Sequence, residues 1–114
     1  MYLYFSKKMG DHIQAALNYI KGAKPRADPR LREIIENCLN RLYRRGHVVI
    51  FTDGYYRTCY KLEHKEYRGV TRKKPEYTLI HLKTYARDTL IHELLHVGGA
   101  DEREAYYYTS LIAP

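Results

Sequence analysis

Apolar residues recur at steps of three and four along two stretches of the first half of the chain. Ile13, Ala16, Leu17 and Ile20 form one helical stripe, and Leu31, Ile34, Ile35, Cys38, Leu39 and Leu42 form a longer one. The first stripe predicts a helix that starts at Asp11, three residues before Gln14 in capping-box spacing, and stops near Gly22. The second predicts an amphipathic helix over residues 29–45. It is opened by Asp28-Pro29, an acceptor followed by a residue that needs no amide partner, and closed by Gly46. Its arginines lie mostly off the apolar stripe, as on a solvated face. Residues 2–5 read as a short strand, Ser6 to Gly10 as a polar turn, and residues 22–27 as a basic connector.

The pattern changes after Gly46. Residues 47–52 are β-branched and apolar, Asp53-Gly54 is a two-residue turn signal, and residues 55–62 resume strand composition, which predicts a hairpin. Residues 63–76 are dense in charge and contain Gly69 and Pro75, so an exposed excursion or irregular edge is expected. Residues 77–82 read as a further strand. Asp88 is then placed to cap a helix over about residues 89–97, Gly98-Gly99 breaks it, and Asp101 with Glu104 makes an acidic capping box for a final helix through about Ile112. This order predicts one α+β domain over residues 1–114, with a small, mainly antiparallel sheet, two N-terminal helices, a site-bearing helix and a C-terminal helix. Long helical connections leave parallel pairing of one strand open.

Composition narrows the picture. The 114 residues suffice for a single core. No apolar run approaches the roughly 18 residues of a membrane span and the N-terminus lacks a secretory pattern, so a cytoplasmic location without membrane contact is expected. Cys38 and Cys59 stand outside any close metal-type spacing and read as isolated thiols, although one bridge between them is open. The net charge of +7 favours contact with polyanions or acidic protein surfaces without identifying a nucleic-acid enzyme. The 13 tyrosines suit semi-buried framework positions or a cleft surface.

Candidate chemistry is concentrated in His92-Glu93-Leu94-Leu95-His96. Residues four apart share a helix face, so His92 and His96 can present two imidazoles to one zinc ion, while Glu93 on the neighbouring face can reach the activated water as general base. Leu90, Ile91, Leu94, Leu95 and Val97 supply the packing of this helix. A catalytic zinc takes three protein ligands and keeps an open position. Glu102 is the first choice for the third, because Asp101 and Glu104 have capping roles of their own; Glu104, Asp101 or a remote histidine are the alternatives. Two imidazoles and a carboxylate favour zinc over other divalent ions. His81, near this segment in sequence, is a candidate for substrate contact. One of Tyr106, Tyr107 and Tyr108 can face the centre.

The segment resembles the zincin metallopeptidases, in which H-E-x-x-H supplies two zinc ligands and the general base. The resemblance implies a zincin-like fold and zinc-dependent hydrolysis of peptide bonds in a peptide or unfolded protein substrate. It also implies an edge strand beside the site helix that binds extended substrate by strand addition, and residues 77–82 look like that strand. Gly99 and Glu102 are similar in place to the metzincin glycine and third ligand, with Glu where His or Asp is usual and no methionine turn following. Residues 102–108 resemble the glutamate helix of gluzincins, reached by a shorter connection. SprT-like peptidases share the strand and motif, but their additional histidine and zinc-ribbon cysteines have no counterpart. Bacterial rRNA-maturation endoribonucleases are similar in spacing but carry glycine at the place of Glu93. Against the peptidase reading stand a nucleic-acid-acting metallohydrolase or binding module using the basic surface, and a latent or noncatalytic zinc scaffold. Latency would follow if residues 110–114 folded across the cleft.

Overall fold

A computed structural model describes residues 2–4, 6–43, 47–52, 69–74, 77–83 and 85–114. Strand β1 (Tyr2–Leu3) leads into helix α1 (Lys7–Ala23), a short 3-10 turn (Lys24–Arg26) and helix α2 (Pro29–Tyr43). Strands β2 (His47–Thr52), β3 (Gly69–Lys73) and β4 (Tyr77–Leu82) follow, then helices α3 (Arg87–Val97) and α4 (Glu102–Ile112).

Helix α1 begins earlier than the apolar stripe suggests. Ser6 is its cap, accepting a hydrogen bond from the Met9 amide at 3.1 Å, and Met9 is buried by the extra turn. The Asp11/Gln14 spacing therefore lies inside the helix. Gly10, read as part of a turn, instead lets the Tyr4 ring lie against the helix backbone; a Cβ there would stand 2.6 Å from Tyr4 Cε2. Helix α2 starts where Asp28-Pro29 predicts, with Asp28 Oδ1 accepting from the Leu31 amide at 2.7 Å. Its buried face is Leu31, Ile34, Ile35, Cys38 and Leu42. The Cys38 thiol is free and fully buried, which pushes its pKa up to about 12 and leaves it inert. Cys59 and Gly46 lie outside the described residues.

The sheet order is β1-β2-β4-β3. β1 pairs parallel with β2 and β2 parallel with β4, while β3 alone is antiparallel, to β4. The α+β class and the four helices agree with the sequence, but the mainly antiparallel sheet is corrected to a mixed, mostly parallel one. Two features explain the difference. Both sides of β2 are taken, by β1 and β4, and the expected hairpin partner, residues 55–62, lies outside the described residues. In β4, Thr78 through Leu82 are all buried, on both faces, as in a parallel strand covered on two sides. β4 thus matches its predicted boundaries but is internal, not an edge. β3 is an edge strand, in the stretch expected to be an exposed excursion or irregular edge, and a charge-rich strand is tolerated where one side faces water.

Helix α3 packs on β3 and β4 and is covered by α1, α2 and α4. It is buried almost all round, and Leu90, Ile91 and Leu94 meet Ile13, Leu17, Ile34, Ile35, Ile50, Ile80 and Leu82 in one core. Ile112 and Ala113 also belong to that core, so the C-terminal residues are packed into the body of the domain. No helix of the described residues is long and apolar enough to cross a membrane.

Candidate metal centre

Helix α3 starts at Arg87, two residues before the predicted start, with Ala86 at the cap position and no side-chain cap. Asp88 sits in the first turn, paired with Arg87 at 3.2 Å, and is not the cap. The four-residue spacing places His92 and His96 on one face near the helix end, their Nε2 atoms 3.2 Å apart. Glu102, in the first turn of α4, reaches back over them: Oε1 lies 2.7 Å from His92 Nε2 and Oε2 3.3 Å from His96 Nε2.

Three donor atoms therefore converge, and their separations suit a metal. Zinc held tetrahedrally at roughly 2.0–2.1 Å from each ligand separates its ligand atoms by roughly 3.3 Å. The His96 ring is also oriented for ligation through Nε2. Its Nδ1 lies 2.8 Å from the Ala100 carbonyl oxygen, which only accepts, so Nδ1 carries a hydrogen and Nε2 is the atom left facing the centre. The two imidazoles are mostly sheltered, with side chains 12% and 18% exposed, while Glu102 is 67% exposed on the solvent side. His92, His96 and Glu102 can hold a divalent ion.

The neighbouring acids have other partners. Asp101 caps α4, accepting from the Glu104 amide at 2.7 Å, and Glu104 returns the bond from the Asp101 amide at 3.1 Å, the capping box the spacing predicts. Glu104 is further gripped by Arg30 of α2, with Nε to Oε2 at 2.6 Å and Nη2 to Oε1 at 3.1 Å. The guanidinium, then the Asp101 amide, hold its carboxyl down to about 2. Arg30 Nη2 also donates to the Gly99 carbonyl at 3.2 Å, and Tyr108 donates to the Asp28 carboxylate at 3.2 Å. The N-terminus of α2 thus fastens α4 and the turn before it. That turn needs both glycines: a Cβ on Gly98 would stand 2.1 Å from the Ile34 carbonyl oxygen, and Gly99 has φ of +99°.

Glu93 is turned toward β3 and is 5% exposed. Burial pushes its carboxyl above the ordinary range, opposed by a hydrogen bond from the Thr71 hydroxyl and by the positive potential of His92 and His96. The Thr71 hydroxyl lies 2.8 Å from Glu93 Oε1, and at Gly69 a Cβ would come within 3.2 Å of Glu93 Cγ. Neither Thr71 nor Gly69 was singled out by sequence, since both stand in a charged run without strand alternation. Of the three successive tyrosines, Tyr106 packs its ring on His92, with centroids 4.6 Å apart, and remains 68% exposed. Tyr107 points to solvent and Tyr108 into the core. His81 pairs with Val70, one residue out of step with Thr71 and Ile80, so it faces the opposite side of the sheet, where it stacks on Phe51. His12 lies against Tyr85 in the body of the domain; the side chains of His47 and His64 are outside the described residues.

Comparison with family models, with curated proteins and with solved structures finds no match to this chain.

Proposed function

We propose that His92, His96 and Glu102 bind zinc and that the protein hydrolyses peptide bonds with Glu93 as general base. The observation that carries the reading is the convergence of three ligand atoms beside a buried carboxylate that follows the first histidine by one residue. A zinc ion held there would supply a water of lowered pKa and a Lewis acid for the carbonyl oxygen. Glu93 takes the proton of the attacking water and delivers it to the leaving amine. Burial shifts its carboxyl upward, the direction that makes it the stronger base. Thr71 fixes one oxygen of that carboxylate. The Ala100 carbonyl orients His96 for ligation through Nε2, and Tyr106 walls the exposed side of His92.

Strand β3 has the place of a substrate-binding edge, because its outer side pairs with no strand among the described residues and it adjoins Glu93 through Thr71. A carboxylate beside the centre, where an RNA-cleaving relative in spacing has glycine, favours peptide over phosphodiester hydrolysis. The test is Glu93→Gln. Zinc content at the wild-type level with loss of casein cleavage supports the reading. A variant as active as wild type refutes the role of Glu93, and a wild-type protein that binds zinc yet cleaves nothing leaves the noncatalytic scaffold.

A further inference from the structure

The edge strand beside the centre, with the residue that follows it, carries three consecutive cations. Arg72, Lys73 and Lys74 follow Thr71, all are exposed, and among the described residues no carboxylate pairs with any of them. Thr71 marks where the strand passes Glu93. An extended chain laid along the outer side of β3 meets the cations at the next three positions, in a strand whose side chains alternate between faces at about 3.3 Å per residue. A peptide carboxylate on either face then finds a partner: Lys73 shares the face of Thr71, and Arg72 lies on the other, with Lys74 directly after the strand.

We infer that the centre selects extended peptides with acidic residues within one to three positions of the scissile bond, on one side of it, read by Arg72, Lys73 and Lys74. The inference rests on the peptidase reading above and adds its substrate class. Lysines on an edge strand also keep copies of a protein from pairing edge to edge. That protective role alone predicts no preference among substrates. Three exposed ion pairs, each worth what a surface pair is worth, together give a preference of roughly ten-fold at low salt that shrinks as salt rises.

The experiment uses two unstructured peptides of identical length and label, one with glutamates and one with lysines flanking the same central sequence. Zinc-loaded wild-type protein is expected to cleave the glutamate peptide roughly ten-fold faster at low substrate concentration, and mapping of the cut places the glutamates to one side of it. In R72E/K73E/K74E the ratio inverts, and in the milder R72Q/K73Q/K74Q it falls to about one, with zinc content retained in both. Binding of the same peptides to zinc-loaded Glu93→Gln reads the preference apart from chemistry. Selective binding with no cleavage by wild type upholds the acidic-peptide surface and overturns the peptidase reading. Equal rates and equal binding for the two peptides, or an unaltered ratio in the charge-reversed variant, overturn the inference. Tighter binding of a single-stranded RNA of the same length and charge also overturns it and reassigns the surface to phosphate.

Discussion

The Thr71 hydroxyl donates to the Glu93 carboxylate across 2.8 Å and so ties edge strand β3 to the helix that carries the two histidines. In the proposed peptidase the bond would join the strand that binds substrate to the carboxylate that moves the proton. A hydrogen bond to a charged group is worth about 1.5–3 kcal/mol, so Thr71→Val should lower kcat/KM roughly 10- to 100-fold. Thr71→Ser should restore most of it. Because the hydroxyl favours the ionised carboxylate, its loss should move the acidic limb of the pH–rate profile upward. Zinc content measured in parallel should stay at the wild-type level.

Glu102 and Glu104 are two residues apart and do different work. Glu102 faces His92 and His96, whereas Glu104 is engaged by Arg30 and the Asp101 amide. Glu102→Gln should weaken zinc binding by more than roughly 100-fold, since even a supporting partner of a metal ligand is worth 10- to 100-fold. It should also abolish the rise in melting temperature on adding zinc, which for a tight site at saturating metal corresponds to about 4 kcal/mol. Glu104→Gln should bind zinc far better than Glu102→Gln and lose thermal stability instead. Chelator competition and thermal melts separate the two.

The same ion pair sets an acid limit on stability. Arg30, with the Asp101 amide, lowers the Glu104 carboxyl to about 2 from an ordinary 4.5. A depressed carboxyl stabilises the fold above its unfolded pKa and ceases to do so as pH falls through its folded value. Wild type should therefore lose stability progressively between about pH 4.5 and 2. Glu104→Gln should be less stable at neutral pH, with the gap closing across that window. Chemical denaturation at stepped pH checks both the direction and the window.

What the sequence makes legible follows the range of the forces involved. The Asp28-Pro29 start of α2, the capping box at Asp101 and the juxtaposition of His92 with His96 are set within four residues, and each is found where the pattern places it. The helix-to-helix reach of Glu102 is only a little longer. Thr71 stands 22 residues before Glu93, and Arg30 stands 74 before Glu104; no local pattern encodes those meetings. The parallel pairing of β2 with β4 is hidden for the same reason, because Asp53-Gly54 is a strong local hairpin signal while the pairing joins residues about thirty apart. Charge density concealed β3, none of whose residues is fully buried, so it lacks the apolar alternation that marks a half-buried strand.

Three glycines test whether α2 sets the position of the centre, because one needs space, one needs its backbone angle and one needs neither. Gly98 is helical in φ, so its need is space: the added Cβ would press on the Ile34 backbone carbonyl. Gly98→Ala must push α2 and the end of α3 apart, at a cost of at least about 2 kcal/mol, or a melting temperature lower by about 10 °C. His96 stands two residues away, so zinc affinity should fall with it. Gly99 has open space but positive φ, so Gly99→Ala should cost only the backbone term of about 1 kcal/mol. Gly22 lies within α1 with nothing near its missing Cβ, and Gly22→Ala should raise stability by about 0.5–1 kcal/mol. Its zinc affinity should match wild type. A Gly98→Ala protein that melts lower yet binds zinc as tightly as wild type would show that contact with α2 supports the fold but does not place His96.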